Sequence, residues 1–533
     1  MTFRASTYLA LVGLLAAGAT GCRRPPPGQA SAAVGGSSTT SVPAEVRRAP
    51  AGVTSRVVIV GGGLAGLVSA YELGKRGIST ELLEATEVWG GRVATASYGE
   101  GTYAEYGMQE MWTDNPLLGI ARELGVPVEA GEEAYSSLVL DGKLVPYVQP
   151  TAEKFFASFL DPGERPALER FMKEAGRLYA KARAADGSVV GHVLGPELEA
   201  LQSVSFAEWV GRLALPRRVS EWIRVTVECE VATDWRSFSG LSGLLESRFF
   251  LRPAQLNYQA KGGNAQVIKA LAGAIPGKKT LLATVTAVER WQDPDGRPRA
   301  RVSYLRGQHL ETVEADRVIL SVPFYRLHQI RMDPPLSDEK WQAILTLARG
   351  QYTVVHLLMD KDARKVWAGP GRSPFPVLTD GPLGVVYGVA HESPPSEPLE
   401  VFSLLVHGAA AAAFHMIPRE VKVREILTAL DKLWPGLSGH VRSSQVFSYH
   451  PAALPVWPPG RSPLDPGARA LREPELGLYL AGDYTLGAHS SDAVESGQRV
   501  AARIAADLAL PASPTVAPPR SPPPLPPSAH RTP

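Results

Sequence analysis

The sequence predicts an α/β fold, on three observations near its start. Val57, Val58, Ile59 and Val60 form a short β-branched run. Gly61-Gly62-Gly63-Leu64-Ala65-Gly66 follows at once, and residues 67–73 continue with helical spacing. A second apolar run, residues 79–83, closes on Glu84. Apolar runs without polar alternation suit strands buried on both faces, as in a parallel sheet covered by helices. Strand, glycine turn, helix, strand and acid in that order make a Rossmann-like dinucleotide cradle.

Each part of the cradle has a reason. Gly61 permits the tight turn, Gly63 lets the backbone approach a pyrophosphate, and Gly66 lets the helix pack close to the strand. Gly62 and Ala65 complete the binding turn. The helix N-terminus offers unpaired N–H groups and partial positive charge to phosphates. Glu84 lies 18 residues after Gly66, at the end of the second strand, where its carboxylate can accept from ribose hydroxyls.

Composition narrows the function classes. The 533 residues are 44% hydrophobic and 20% charged, a globular balance. Lys and Arg number 55 against 53 Asp and Glu, a net charge of +2 that gives no footprint for nucleic acid. Two cysteines, Cys22 and Cys229, exclude a disulfide framework and a Cys-rich metal site. The 11 histidines show no metal-ligand spacing.

The ends read as additions to the fold. Arg4, an apolar stretch over 8–19 that is too short to span a bilayer, and a small residue before Cys22 resemble a bacterial lipoprotein signal over 1–22. That resemblance implies cleavage before Cys22, lipidation of Cys22 and a membrane-anchored place in the cell envelope. A plain secretory signal and a cytoplasmic chain are the alternatives. Residues 23–54 read as a flexible tether, and 509–533 as a disordered Pro-rich tail, since ten prolines in residues 511–533 forbid a packed helix. The fold is left to 55–508.

Just after Glu84 comes Trp89-Gly90-Gly91-Arg92-Val93-Ala94-Thr95. Tyr103-Ala104-Glu105-Tyr106-Gly107-Met108-Gln109, Leu281-Leu282-Ala283-Thr284-Val285-Thr286 and Leu480-Ala481-Gly482-Asp483-Tyr484 follow, then Ala493-Val494-Glu495-Ser496-Gly497. With the glycine turn and Glu84, these stretches resemble the flavin amine oxidase superfamily, which includes amine and amino-acid oxidases, protoporphyrinogen oxidases and phytoene-type desaturases. The resemblance implies FAD, expected to be non-covalent because no flavin-linking Cys stands near the C-terminal motif. It places Gly91 and Arg92 at the pyrophosphate, Met108 beside the isoalloxazine ring and Val285 at the adenine. Asp483 then binds the ribityl chain, and the helix carrying Val494 points its N-terminus at the flavin. It also implies two interleaved lobes, like those of the glutathione-reductase fold. The FAD lobe covers about 55–130, 250–330 and 445–508, and a mixed α+β substrate lobe about 131–249 and 331–444.

The expected chemistry is removal of a hydride from a substrate C–H, beside an amine nitrogen, onto flavin N5, with oxygen or a quinone as acceptor. Three positions depart from the family pattern. Gln329, before Pro334-Pro335-Leu336, stands where the resemblance places a Lys at N5. His489 stands near the place of a Tyr, as a residue that orients substrate or a solvated loop residue. Glu110 stands where amino-acid oxidases carry a carboxylate-binding Arg, and would favour a cation. Similarity to the phytoene branch keeps an apolar polyprenoid or porphyrinogen substrate open, and a flavin-bearing protein without turnover is a further alternative.

Overall fold

The computed structural model describes residues 47–48, 57–99, 101–133, 136–147, 151–183, 194–251, 256–369, 374–389, 399–448 and 453–508. Cys22 with its signal, most of the tether and the Pro-rich tail lie outside the described residues.

The fold is α/β. Five parallel strands run in the order Lys278–Thr280, Thr80–Leu83, Val57–Val60, Arg317–Leu320 and Leu478–Leu480. The alternation along Val57–Val60 decides what covers each face. Val57 and Ile59 pack among the helices Leu64–Lys75, Ala265–Ala274 and Ser490–Asp507. Val58 and Val60 pack against a second sheet built from Ala283–Gln292, Pro298–Arg306 and His309–Ala315. Both faces are therefore closed, which is why the run carries no polar alternation.

The helices Leu64–Lys75 and Ser490–Asp507 touch backbone to backbone. A Cβ on Gly497 would lie 2.6 Å from the Ala65 carbonyl oxygen. Ser69 Oγ spans the crossing, with Ala65 O at 2.8 Å and Gly497 O at 3.2 Å as acceptors. This close approach brings the start of a C-terminal helix beside the first glycine turn.

A seven-stranded sheet makes the other lobe. Its order is Val441–Phe447, Tyr352–Asp360, Leu399–His407, Val385–Val389, Val377–Leu378, Ser137–Leu140 and Lys143–Val145. Tyr352–Asp360 and Leu399–His407 are buried on both faces. Val354 and Leu405 join a core with the helices Arg165–Ala182 and Arg217–Val231, while Val355 and Leu404 meet Arg419–Leu433. The lobe boundary at 331 needs correction. Arg331–Asp333 adds a parallel strand to Ala283–Gln292, and Leu336, Ala343 and Ile344 share a core with Val58, Leu320 and Leu478. Residues 331–347 thus belong with the dinucleotide lobe.

Candidate active site

One cavity of about 1300 Å³ is lined by both lobes. At the glycine turn its wall is backbone. Gly61 has φ +110°, and a Cβ there would strike Ser321. A Cβ on Gly66 would sit 2.0 Å from Gly61 O, so helix and turn need glycine at that crossing. A Cβ on Gly63 meets nothing within 4 Å, because Gly63 faces the open cavity with Ala65. A dinucleotide pyrophosphate fits this arrangement: backbone, a helix start and free space occur together.

Glu84 accepts from the Gly62 N–H at 2.6 Å, from the Thr86 N–H at 2.8 Å and from Thr86 Oγ1 at 2.8 Å. It therefore ties the turn to the following loop while lining the cavity. That loop closes against the turn through Gly90 N–H to Gly62 O at 2.9 Å, and Gly91 takes φ +56°. Arg92, next in the chain, reaches across the cavity floor. Its Nη1 lies 2.5 Å from Asp483 Oδ2 and its Nη2 2.9 Å from Asp483 Oδ1, and Nη1 also donates to Ala453 O. The structure pairs these two expected cofactor residues with each other.

One expected contact shifts. Val494 is fully buried in the core shared by the two crossing helices, and the neighbouring Ala493 lines the cavity. Gln329 is exposed and accepts from Arg326 at 3.2 Å. It stands two residues before Arg331, whose strand partner Ala287 lies two residues after Val285. Gln329 lines the same cavity as Val285, Tyr325 and Met108.

His489 caps the helix Ser490–Asp507. Its side chain accepts from the Asp492 N–H, and Asp492 accepts from the His489 N–H at 2.9 Å. The other side of the ring meets the Glu246 carboxylate. Burial lowers the His489 pKa, but the Glu246 charge outweighs it and the net shift is upward. Both ring nitrogens are engaged, so His489 positions the helix start rather than offering a free base.

The far end of the cavity holds residues that local sequence patterns did not single out. Glu230 comes from the helix Arg217–Val231, Tyr352 from the strand Tyr352–Asp360 and Tyr387 from Val385–Val389. Glu110 joins them, accepting from Asn257 Nδ2 at 2.7 Å. Burial lifts Glu110 to about 7, helped by the Glu230 charge and opposed by Asn257. Burial lifts Glu230 to about 7 as well; Glu246 adds to this, and His489 and Arg248 oppose it. The one sequence signal for Glu230 is a carboxylate set between Cys229 and Val231.

A family model described as flavin containing amine oxidoreductase matches residues 64–505. The "Putative flavin-containing monoamine oxidase AofH" of Mycobacterium tuberculosis is 26% identical over 480 residues, covering 85% of this chain and 96% of that protein. Among solved structures, putrescine oxidase bound to putrescine superposes with TM-score 0.71 at 22% identity, over 85% of this chain and 99% of that one. Cyclohexylamine oxidase from Brevibacterium oxydans gives TM-score 0.69 at 21% identity, over 86% and 100%. With the glycine cradle, the Glu84 clamp and the shared cavity in place, the chain belongs to the flavin-containing amine oxidoreductase family.

Proposed function

We propose that this FAD-dependent oxidoreductase takes a hydride from a carbon next to an amine nitrogen, and passes the electrons to oxygen or a quinone. When bound, FAD supplies the hydride-accepting ring. The chain supplies position and electrostatics. Gly63, Ala65 and the starts of the helices Leu64–Lys75 and Ser490–Asp507 receive the anionic end, and Met108 and Ala493 line the region where the two lobes meet. The observation that carries the reading is the continuity of a single cavity from Gly63 to the chamber of Glu110, Glu230, Tyr352 and Tyr387.

Two carboxylates in that chamber suit a cation and work against an apolar polyprenoid, which would leave them without partners. Cys229, the one cysteine among the described residues, is buried outside the main cavity lining, which supports non-covalent FAD. Export and lipid attachment at Cys22 are proposed from the signal pattern alone. The function is tested by mixing FAD-loaded protein anaerobically with amines, amino acids and polyprenoids. Bleaching of the flavin by amines supports the reading; bleaching by a polyprenoid alone overturns it.

A further inference from the structure

Glu105, Asn264, His356 and Ser403 are buried polar residues that the chemistry proposed above does not use. Glu105 is 3% exposed and the other three are fully buried. They meet at the end of the hairpin Thr95–Ser97 and Tyr103–Glu105, which lays Ala104 on Leu358 and Val401 of the seven-stranded sheet. The Glu105 carboxylate faces the dinucleotide lobe. Its Oε1 accepts from the Asn264 N–H at 2.7 Å, and its Oε2 from Thr95 Oγ1 at 2.7 Å. Thr95 Oγ1 in turn accepts from the Ala265 N–H, and Asn264 Nδ2 donates to the carbonyls of Met108 and Gln109.

The Glu105 carbonyl faces the other lobe. It accepts from His356 Nε2 at 2.9 Å and from Ser403 Oγ at 3.0 Å, which are cross-strand partners, and from Gln109 Nε2 at 3.0 Å. A carbonyl only accepts, so His356 Nε2 carries the hydrogen and Nδ1 is left to accept from the Tyr98 hydroxyl at 2.5 Å. Burial pushes the His356 pKa down to about 4 and keeps the ring neutral. Burial lifts Glu105 to about 7, against the pull of Asn264 and Thr95. Both lobes therefore grip one residue, by its side chain on one side and its backbone on the other. Residues 106–110, next in the chain, line the cavity. They have little slack: the Met108 N–H donates to Arg92 O at 2.9 Å, and a Cβ on Gly107 would lie 2.2 Å from that same oxygen. Burying a carboxylate is costly, and an apolar joint would hold the hairpin at less cost. What the polar joint adds is a fixed direction and a charge.

We propose that Glu105 is a positioning residue for the cofactor ring: gripped by both lobes, it sets where residues 106–109 stand against bound FAD, and it holds a negative charge behind them. Glu105 is set behind the cavity lining, so it acts through that segment rather than by touching ring or substrate. This role needs bound FAD and no particular substrate, so it stands or falls apart from the amine reading.

The test reads the visible circular dichroism and the midpoint potential of the bound flavin at pH 8, in FAD-loaded wild type, Glu105→Gln, Ser403→Ala and Asp465→Asn. Glu105→Gln keeps the shape, puts an amide where two donors need acceptors, and removes the charge. It should retain FAD, lose at least half of the visible flavin signal or invert it, and raise the potential, because a nearby anion opposes negative charge on the reduced ring. Ser403→Ala removes one of three donors to the Glu105 carbonyl, so the protein should fold. Its flavin signal should move in the same direction as that of Glu105→Gln, with the potential nearly unchanged. Asp465→Asn alters an equally buried carboxylate, 3% exposed and outside the cavity lining. It should lower the melting temperature and leave both flavin readings as in wild type. Wild-type readings in both Glu105→Gln and Ser403→Ala overturn the proposal, whatever their melting temperatures. Equal movement of both readings in Asp465→Asn also overturns it, since that marks a general loosening. If Glu105→Gln does not fold, the flavin signal of Ser403→Ala decides alone.

Discussion

Arg92 and Asp483, 391 residues apart in sequence, form a two-point ion pair on the floor of the cavity. Asp483 is 3% exposed, while about a third of the Arg92 side chain is open. The pair joins the loop after Glu84 to the turn that follows Leu478–Leu480, so the first and last parts of the dinucleotide lobe are tied ionically as well as through the sheet. Two parallel N–H···O bonds fix the orientation of both groups.

Removing one partner should therefore cost stability. Arg92→Ala leaves a buried carboxylate without its counter-charge. Loss of a fully buried pair costs about 3–5 kcal/mol, and the partial exposure of Arg92 reduces this to about 1–3 kcal/mol. Asp483→Asn, which keeps the shape and removes the charge, should cost less. Urea unfolding of the FAD-stripped proteins measures both.

The glycines of the turn should separate by function. Gly63→Leu adds a side chain that points into open space, so the protein should fold, lose FAD and melt where FAD-stripped wild type melts. Gly66→Leu puts a Cβ 2.0 Å from Gly61 O, so the fold itself should suffer. Flavin absorbance after gel filtration, with circular dichroism melting, distinguishes the two outcomes.

Glu230 carries a pH signature. Its value rises from 4.5 to about 7 on folding. Between those values the native state binds more protons than the unfolded state, so this group's contribution to stability falls as pH rises. His356, pushed down to about 4 by burial, acts in the opposite direction over part of the same range, so wild type alone is ambiguous. The comparison with Glu230→Gln isolates the group. The stability of the variant relative to wild type should increase between pH 5 and pH 7.5, by on the order of 1–3 kcal/mol. Unfolding at a series of pH values checks the sign.

The export proposal concerns Cys22. Wild-type protein should begin at Cys22 and partition into detergent, whereas Cys22→Ser should leave an uncleaved precursor or a soluble exported form. Mass spectrometry of the N-terminus and detergent partitioning read this directly. A protein that keeps Met1 and fractionates with the cytoplasm contradicts it.

The cofactor end was legible because its parts lie close in sequence. Val57–Val60, the glycines and Glu84 fall within 28 residues, and each has a local backbone reason for its identity. The chamber was less legible because Glu230, Tyr352 and Tyr387 are brought together by a helix and two strands of the other lobe, and nothing local marks a side chain as facing a cavity. Glu110 was singled out, but its partner Glu230 was not. Arg92 and Asp483 were each assigned to a cofactor group, and tertiary pairing between them had no sequence signal.

One cavity joins the dinucleotide cradle to the chamber proposed to bind an amine. Anaerobic stopped-flow absorbance of the FAD-loaded protein with butylamine, deuterated or not at the carbon bearing nitrogen, tests it most directly. Butylamine is expected to bleach the flavin, and deuteration to slow the bleaching several-fold. A flavin that keeps its colour at saturating butylamine and at saturating levels of other amines would contradict it.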